Sequence, residues 1–254
     1  MRLVSIISVW VDTLELLPYA IDNHLEFCDG VIVVWSLTSN HGAVDKRMLE
    51  FVATNNYQNV LFHQIEPIKK MKPLLNETRK RNIGLEIAKR EGYTHFFLAD
   101  ADEMYIPEHV EKDKKLFNET QINGLVCSLQ VYVGKPTLSC YDDTLVPFIH
   151  KLRKDTTAGR FQHYPFAYDK KRNSHIDPSR RLNERNGIIM SNTVMHHMSY
   201  IRADINLKIQ NSTAKLKNRE AMIKRDIACA VPGYVSELYH RPLIETENYF
   251  QIAI

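Results

Sequence analysis

Residues Tyr93 to Tyr105 read Y-T-H-F-F-L-A-D-A-D-E-M-Y. An apolar run of β-formers, Phe96, Phe97 and Leu98, drives straight into three carboxylates, Asp100, Asp102 and Glu103. A buried strand that ends in acid presents that acid at the sheet edge, and ligand sites of open α/β sheets lie beyond the carboxyl ends of the strands. Asp100 and Asp102 are two apart, so in extended chain their carboxylates point the same way, and two like charges held together need a cation between them. Oxygen ligands select Mg²⁺ or Mn²⁺. An isolated D-x-D is short and is more often only an acidic loop, so the flanking chain has to decide.

Upstream, Leu3 to Val9 form an apolar, β-branched strand, and Asp12-Thr13 caps a helix with Leu16, Leu17, Ala20, Ile21 and Leu25 at helical spacing. Gly30 opens a second strand, Val31 to Trp35, followed by a turn-rich loop from Ser36 to Gly42, a helix from about Ala43 to Asn55 and a short strand, Val60 to His63. A basic loop, Lys69 to Leu75, leads to a helix from Glu77 to Arg90 that Gly92 ends and that feeds the acidic strand. This alternation predicts an α/β fold, a mostly parallel twisted sheet flanked by helices.

Downstream, a charged helix is expected around Glu108 to Phe117, and Gly124 to Val133 alternates as a half-buried strand. From Asp142 to Asn192 periodicity is weak, and basic, aromatic and polar residues interleave. A long irregular segment inside a compact domain is usually functional when ordered. Thr193 to Met195 read as a short strand delivering His196-His197, and Ile201 to about Arg225 has helical composition. The expected organisation is one domain over 1–205, with a C-terminal helical extension over 206–254 packed on it.

The chain's 254 residues suffice for one large α/β domain with a full core. A net charge of +3, with no run of five like charges, does not argue for nucleic acid. The four cysteines are widely spaced without a C-x-x-C, so neither a zinc site nor a disulfide framework is suggested. No apolar run approaches the roughly 18 residues of a membrane span, and no leader pattern is visible. The expectation is a soluble, cytoplasmic protein.

The order of these features resembles the GT-A glycosyltransferases, in particular the family 2-like enzymes of bacteria, phages and large viruses. The resemblance runs from the first strand through Arg202. It is carried by R-N-x-G at Arg81, Asn82 and Gly84, by D-A-D-E at Asp100 to Glu103, and by H-H-M-S-Y-I-R at His196 to Arg202. It implies a D-x-D that binds Mn²⁺ or Mg²⁺ across the diphosphate of a UDP- or GDP-linked sugar, with a distal histidine completing the metal shell. By the family pattern Asp102 is the direct metal ligand, Asp100 serves the ribose or a metal-bound water, and Glu103 supports them. The histidine is His197 or His196, at most one of them because neighbours on a strand point to opposite faces, and His197 is the better match because the family pattern places the ligand immediately before an aromatic or apolar residue and Ser. The loop after the second strand, Trp35 to Asn40, keeps hydroxyls where many relatives carry aspartates. The family's late acidic pair is not recognisable, which leaves inversion or retention open.

Arg81 and Asn82 are expected to meet the D-x-D carboxylates or a donor hydroxyl, and Arg202 and Lys208 to cover the diphosphate. Trp10, Asp12, Trp35 and Ser36, at the ends of the first two strands, are placed at the nucleotide, with Trp35 stacking on the base or packing in the core. Asp177 is the candidate general base. Tyr164, Tyr168, Arg180 and Arg181 are the candidate acceptor-binding residues, for a saccharide or glycoconjugate. Asp102→Ala should abolish turnover at little cost in stability, because a sheet-edge carboxylate is not core. Two other classes compete: a catalytically silent nucleotide-sugar or sugar-binding module, and a metal-dependent nucleotidyltransferase. The latter is disfavoured by the lack of glycine in Ser8 to Asp12.

Overall fold

The computed structural model describes residues 1–161, 176, 179–184, 186–212 and 218–254. Its first half is the alternating unit. Strand β1 (Leu3–Val9) precedes a 3₁₀ turn (Val11–Thr13) and helix α1 (Leu17–Leu25). Strand β2 (Gly30–Trp35), helix α2 (Arg47–Thr54), strand β3 (Val60–Gln64), helix α3 (Pro73–Arg90) and strand β4 (His95–Asp100) follow. Both faces of β4 are covered. Phe96 and Leu98 pack with Leu85, Ile87 and Ala88 of α3, while Phe97 and Ala99 join the cluster holding Leu17, Ala20 and Ile21 of α1. A parallel strand between two helical layers has no polar face, which is why its sequence reads as an unbroken apolar run.

The second half is built from longer strands. After β5 (Glu103–Met104) and α4 (Pro107–Glu119) come β6 (Gly124–Val133), β7 (Leu138–Lys151) and β8 (Ile188–Tyr200). Helices α5 (Ile205–Asn211) and α6 (Arg219–Ala228) and the short β9 (Ile244–Glu245) complete the chain. The strands hydrogen-bond in the order β3-β2-β1-β4-β7-β6-β8-β5, with β9 on β7. Pairs β1–β2, β1–β4, β2–β3 and β6–β8 are parallel, whereas β4–β7, β6–β7, β5–β8 and β7–β9 are antiparallel. The sheet is therefore mixed, parallel throughout its N-terminal half, and this helix-flanked arrangement is consistent with the GT-A type that the resemblance implies.

Three features differ from the sequence expectations. The segment from Asp142, expected to be irregular, begins as the greater part of the 14-residue β7. Its middle, Tyr141-Asp142-Asp143-Thr144, is polar and partly or fully exposed, and the β6–β7 register shifts beside it, so the apolar alternation that marks a strand is lost. The histidine strand is likewise longer than Thr193 to Met195. Finally, the helix expected from Asp12-Thr13 starts at Leu17, after the 3₁₀ turn.

Register fixes where chemistry can gather. Ser8 lies opposite Asp100 on β4, and Val9 opposite Trp35 on β2, so the carboxyl ends of the three strands meet. The C-terminal segment is joined to the same body: Ile252 packs with Leu16, Met104, Tyr132, Met198 and Ile201.

Candidate active site

Strand β4 ends at Asp100, and Ala101-Asp102 form a turn before β5. The extended geometry that would aim Asp100 and Asp102 at one cation is therefore absent, and the two carboxylates are neutralised separately by the protein's own side chains. Asp100 Oδ1 accepts from Arg81 Nη2 at 3.0 Å and its Oδ2 from Arg180 Nη2 at 2.7 Å. Burial would raise the Asp100 carboxyl, but Arg180 and Arg81 outweigh it and hold it at about 2. Glu103, 1% exposed, pairs with Arg180 through both oxygens and accepts the Asp100 backbone N–H at 3.1 Å. Here burial wins over Arg180, and the carboxyl is raised.

Asp102 is fully buried. Its Oδ2 accepts from Arg202 and, at 3.1 Å, from Lys208 Nζ. Burial opposes ionisation, but Lys208, His197 and Arg202 together keep the carboxyl well below the ordinary range. Its Oδ1 is buried without a hydrogen-bond partner and lies 3.6 Å from His197 Nε2. Glu103 and His197 are opposed across the antiparallel β5–β8 pair, so Asp102, Glu103 and His197 place one potential ligand atom each within 4.8 Å of one another. Asp100 stands outside that group. His196 takes the other face of β8, where its Nδ1 meets Tyr132 OH at 2.8 Å and Phe250 packs on its ring. Two carboxylate oxygens and an imidazole are a donor set of the kind that suits Mn²⁺ or Mg²⁺, and Asp102 Oδ1 within it accepts no hydrogen bond.

The R-N-x-G motif divides its work. Arg81 points at Asp100, also reaching Ser179, with Glu77 Oε1 at 3.5 Å. Asn82 turns away from the carboxylates and brackets Ala158, donating to its carbonyl at 2.9 Å and accepting its N–H at 2.7 Å. Gly84 lets α3 lie on β1, since an added Cβ would collide with Ile6 Cγ2.

A cleft of about 940 Å³ opens over the strand ends, lined by Trp10, Asp12, Lys80, Arg81, Asp100, Glu103, His197 and Lys208. Trp10 lines it while its Nε1 donates to the Leu37 carbonyl at 3.1 Å. Burial raises the Asp12 carboxyl even against Lys208 and Arg202. Trp35, by contrast, is 3% exposed within the core cluster, and Ser36 is buried with its hydroxyl on the Thr38 carbonyl at 2.8 Å. Arg202 also donates to the Asp12 carbonyl, linking the end of β8 to the turn after β1.

Arg180, expected with the acceptor, is 3% exposed and paired with Asp100 and Glu103. Arg181 donates to the Ile176 carbonyl at 3.2 Å. Asp177, Tyr164 and Tyr168 lie outside the described residues. Lys80 was not anticipated: it is 3% exposed, donates to the Val9 carbonyl at 3.0 Å and has its pKa lowered by burial. Its position one residue before R-N-x-G was the available signal.

No family model matches the chain, and no curated protein does. Among solved structures it is similar to S. aureus TarS. The match to TarS 1–349 has a TM-score of 0.48 at 15% identity and covers 90% of this chain and 70% of that one. The match to TarS 1–349 in complex with UDP has a TM-score of 0.40 at 15% identity, covering 53% and 37%. With UDP-GlcNAc the values are 0.39, 14%, 53% and 36%. This chain thus matches little more than a third of the nucleotide-bound TarS chains. Likeness at this level carries no functional argument, so function has to be read from the chain's own residues.

Proposed function

We propose that the protein is a metal-dependent glycosyltransferase that moves a sugar from a UDP- or GDP-linked donor to a saccharide or glycoconjugate acceptor. The observation that carries this reading is Asp102 Oδ1, a buried carboxylate oxygen with no hydrogen-bond partner that faces His197 beneath a cleft to which Lys80, Arg81 and Lys208 contribute. The carboxylate's charge is already met by Arg202 and Lys208 on Oδ2, but a buried oxygen that accepts no hydrogen bond has capacity left over, which supports a cationic ligand there. Asp102, His197 and Glu103 would hold Mn²⁺ or Mg²⁺, whose charge stabilises a departing diphosphate when bound.

The chain's own groups set the rest. Lys208 and Lys80 both line the cleft near Asp12 and offer ammonium donors to phosphate oxygens. Arg81 and Arg180 hold Asp100 ionised and fixed, so its position does not depend on the ligand. Trp10 and Asp12 offer a ring face and a carboxylate to the nucleoside. Asp177 remains the candidate base for an inverting reaction.

The test is a screen of nucleotide-sugars with Mn²⁺, scored by release of nucleoside diphosphate. One donor class should be turned over, and both chelation and Asp102→Ala should abolish release. Activity that survives complete chelation would remove the metal assignment. Donor binding without release would support the silent binding module instead.

A further inference from the structure

The cleft is lined by more residues than the donor reading uses. One half, with Trp10, Asp12, Asp100 and the metal ligand His197, is taken by the donor reading; the second half is lined by Leu129, Asp142, Val146 and Met195 of the later strands and by Arg219 and Tyr239. We propose that this second half is the acceptor subsite and that it takes an uncharged pyranose ring, seated beside Tyr239 and hydrogen-bonded to Asp142 and Arg219. The proposal rests on the glycosyltransferase reading.

Leu129, Val146 and Met195, all buried, line this half and supply an apolar floor. Above the floor, Arg219 Nη2 donates to Tyr200 OH at 3.2 Å and Tyr239 OH lies 3.3 Å from the same oxygen. Asp142 is fixed through Oδ1, which accepts the Thr144 N–H at 2.8 Å. A sugar ring presents an apolar face and a rim of hydroxyls, and an aromatic ring beside a carboxylate and a guanidinium matches both.

The subsite is held by a buried device. Asp226 of α6, 2% exposed, accepts from Ser236 Oγ at 2.6 Å, from the Glu237 N–H at 2.8 Å and from the Leu238 N–H at 3.2 Å. The helix that begins at Arg219 therefore fixes the turn that presents Tyr239. Such preorganisation lowers the entropy cost of binding. Charge argues for a neutral ligand: this half is lined by charges of both signs, Asp142 and Arg219, and Asp143 is paired with Arg241 at 3.1 Å.

The test uses the methyl glycosides of glucose, galactose, mannose and N-acetylglucosamine, titrated by saturation-transfer NMR with diamagnetic Mg²⁺ and UDP or GDP present. At least one should bind, roughly tenfold more weakly to Tyr239→Ala and to Asp142→Asn, the scale of one lost interaction of about 1.4 kcal/mol. Nucleotide affinity should be unchanged in both variants. Tyr239→Phe keeps the packing and should retain most of the binding, which separates a contact from a folding defect. Failure of all four glycosides to bind overturns the proposal, as does binding unaffected by either substitution. Loss confined to Tyr164→Ala or Tyr168→Ala would also overturn it. If no nucleotide binds yet glycoside binding still depends on Tyr239, the donor reading fails and the subsite stands.

Discussion

Asp102 and Arg202 are both fully buried, and Lys208 adds a second cation to the same carboxylate oxygen. This corrects the expectation that Asp102→Ala costs little stability, because the residue belongs to the interior and not to an exposed edge. Removing one member of a buried charge cluster leaves its partner uncompensated, a loss of about 3–5 kcal/mol. We expect Asp102→Ala to lower the urea midpoint by a matching amount and Asp102→Asn, which still accepts from Arg202, by clearly less. Equal, negligible losses in both would show that Arg202 finds another partner. The acidic run itself was legible, because an apolar strand ending in carboxylates is a local pattern. Arg180 was not: it meets Asp100 across 80 residues of chain, and no local spacing announces a contact of that kind.

Helix α3 carries the site's link between sequence motif and packing. Arg81 faces Asp100, Asn82 holds residues 157 and 158, and Gly84 permits close approach to β1. A methyl at position 84 must push α3 off Ile6, an overpacking cost of about 1–3 kcal/mol, and the same displacement moves Arg81 relative to Asp100. Gly84→Ala should therefore lower the melting temperature by several degrees and weaken nucleotide binding together with it; a variant that loses neither would mean the helix–strand gap can relax freely. The strands β1, β2 and β4 were readable because each is sealed on two faces and so is mostly apolar. The centre of β7 was not, because it serves a cleft as well as a sheet and carries the polar residues that a cleft needs.

Across the whole molecule, buried histidines tie stability to pH, His24 and His150 most strongly and His196, lowered to about 4, less so. His24 Nδ1 lies 2.8 Å from Ser5 Oγ and its Nε2 3.0 Å from the Glu103 carbonyl. The neutral ring satisfies both contacts by donating through Nε2 and accepting through Nδ1, whereas the protonated ring has no acceptor to offer the Ser5 hydroxyl. His150 lies opposite Gly124 in the β6–β7 pair, where any side chain on Gly124 would strike its ring. Burial lowers both to about 3, against 6.5 for the free side chain. Between these values the unfolded chain binds protons that the folded chain refuses, so stability is complete above about pH 6.5 and declines as the pH falls toward 3. Each ring contributes a slope of up to about 1.4 kcal/mol per pH unit. Urea unfolding at pH 7.5, 6 and 5 should show a midpoint that falls steadily. His150→Asn, with the bulk and charge of the ring removed, should flatten part of that slope even if it lowers the midpoint overall. A midpoint constant from pH 7.5 to 5 would mean that these rings take up protons in the folded state, and that the packing around β6 and β7 is looser than the buried His24 and His150 rings imply.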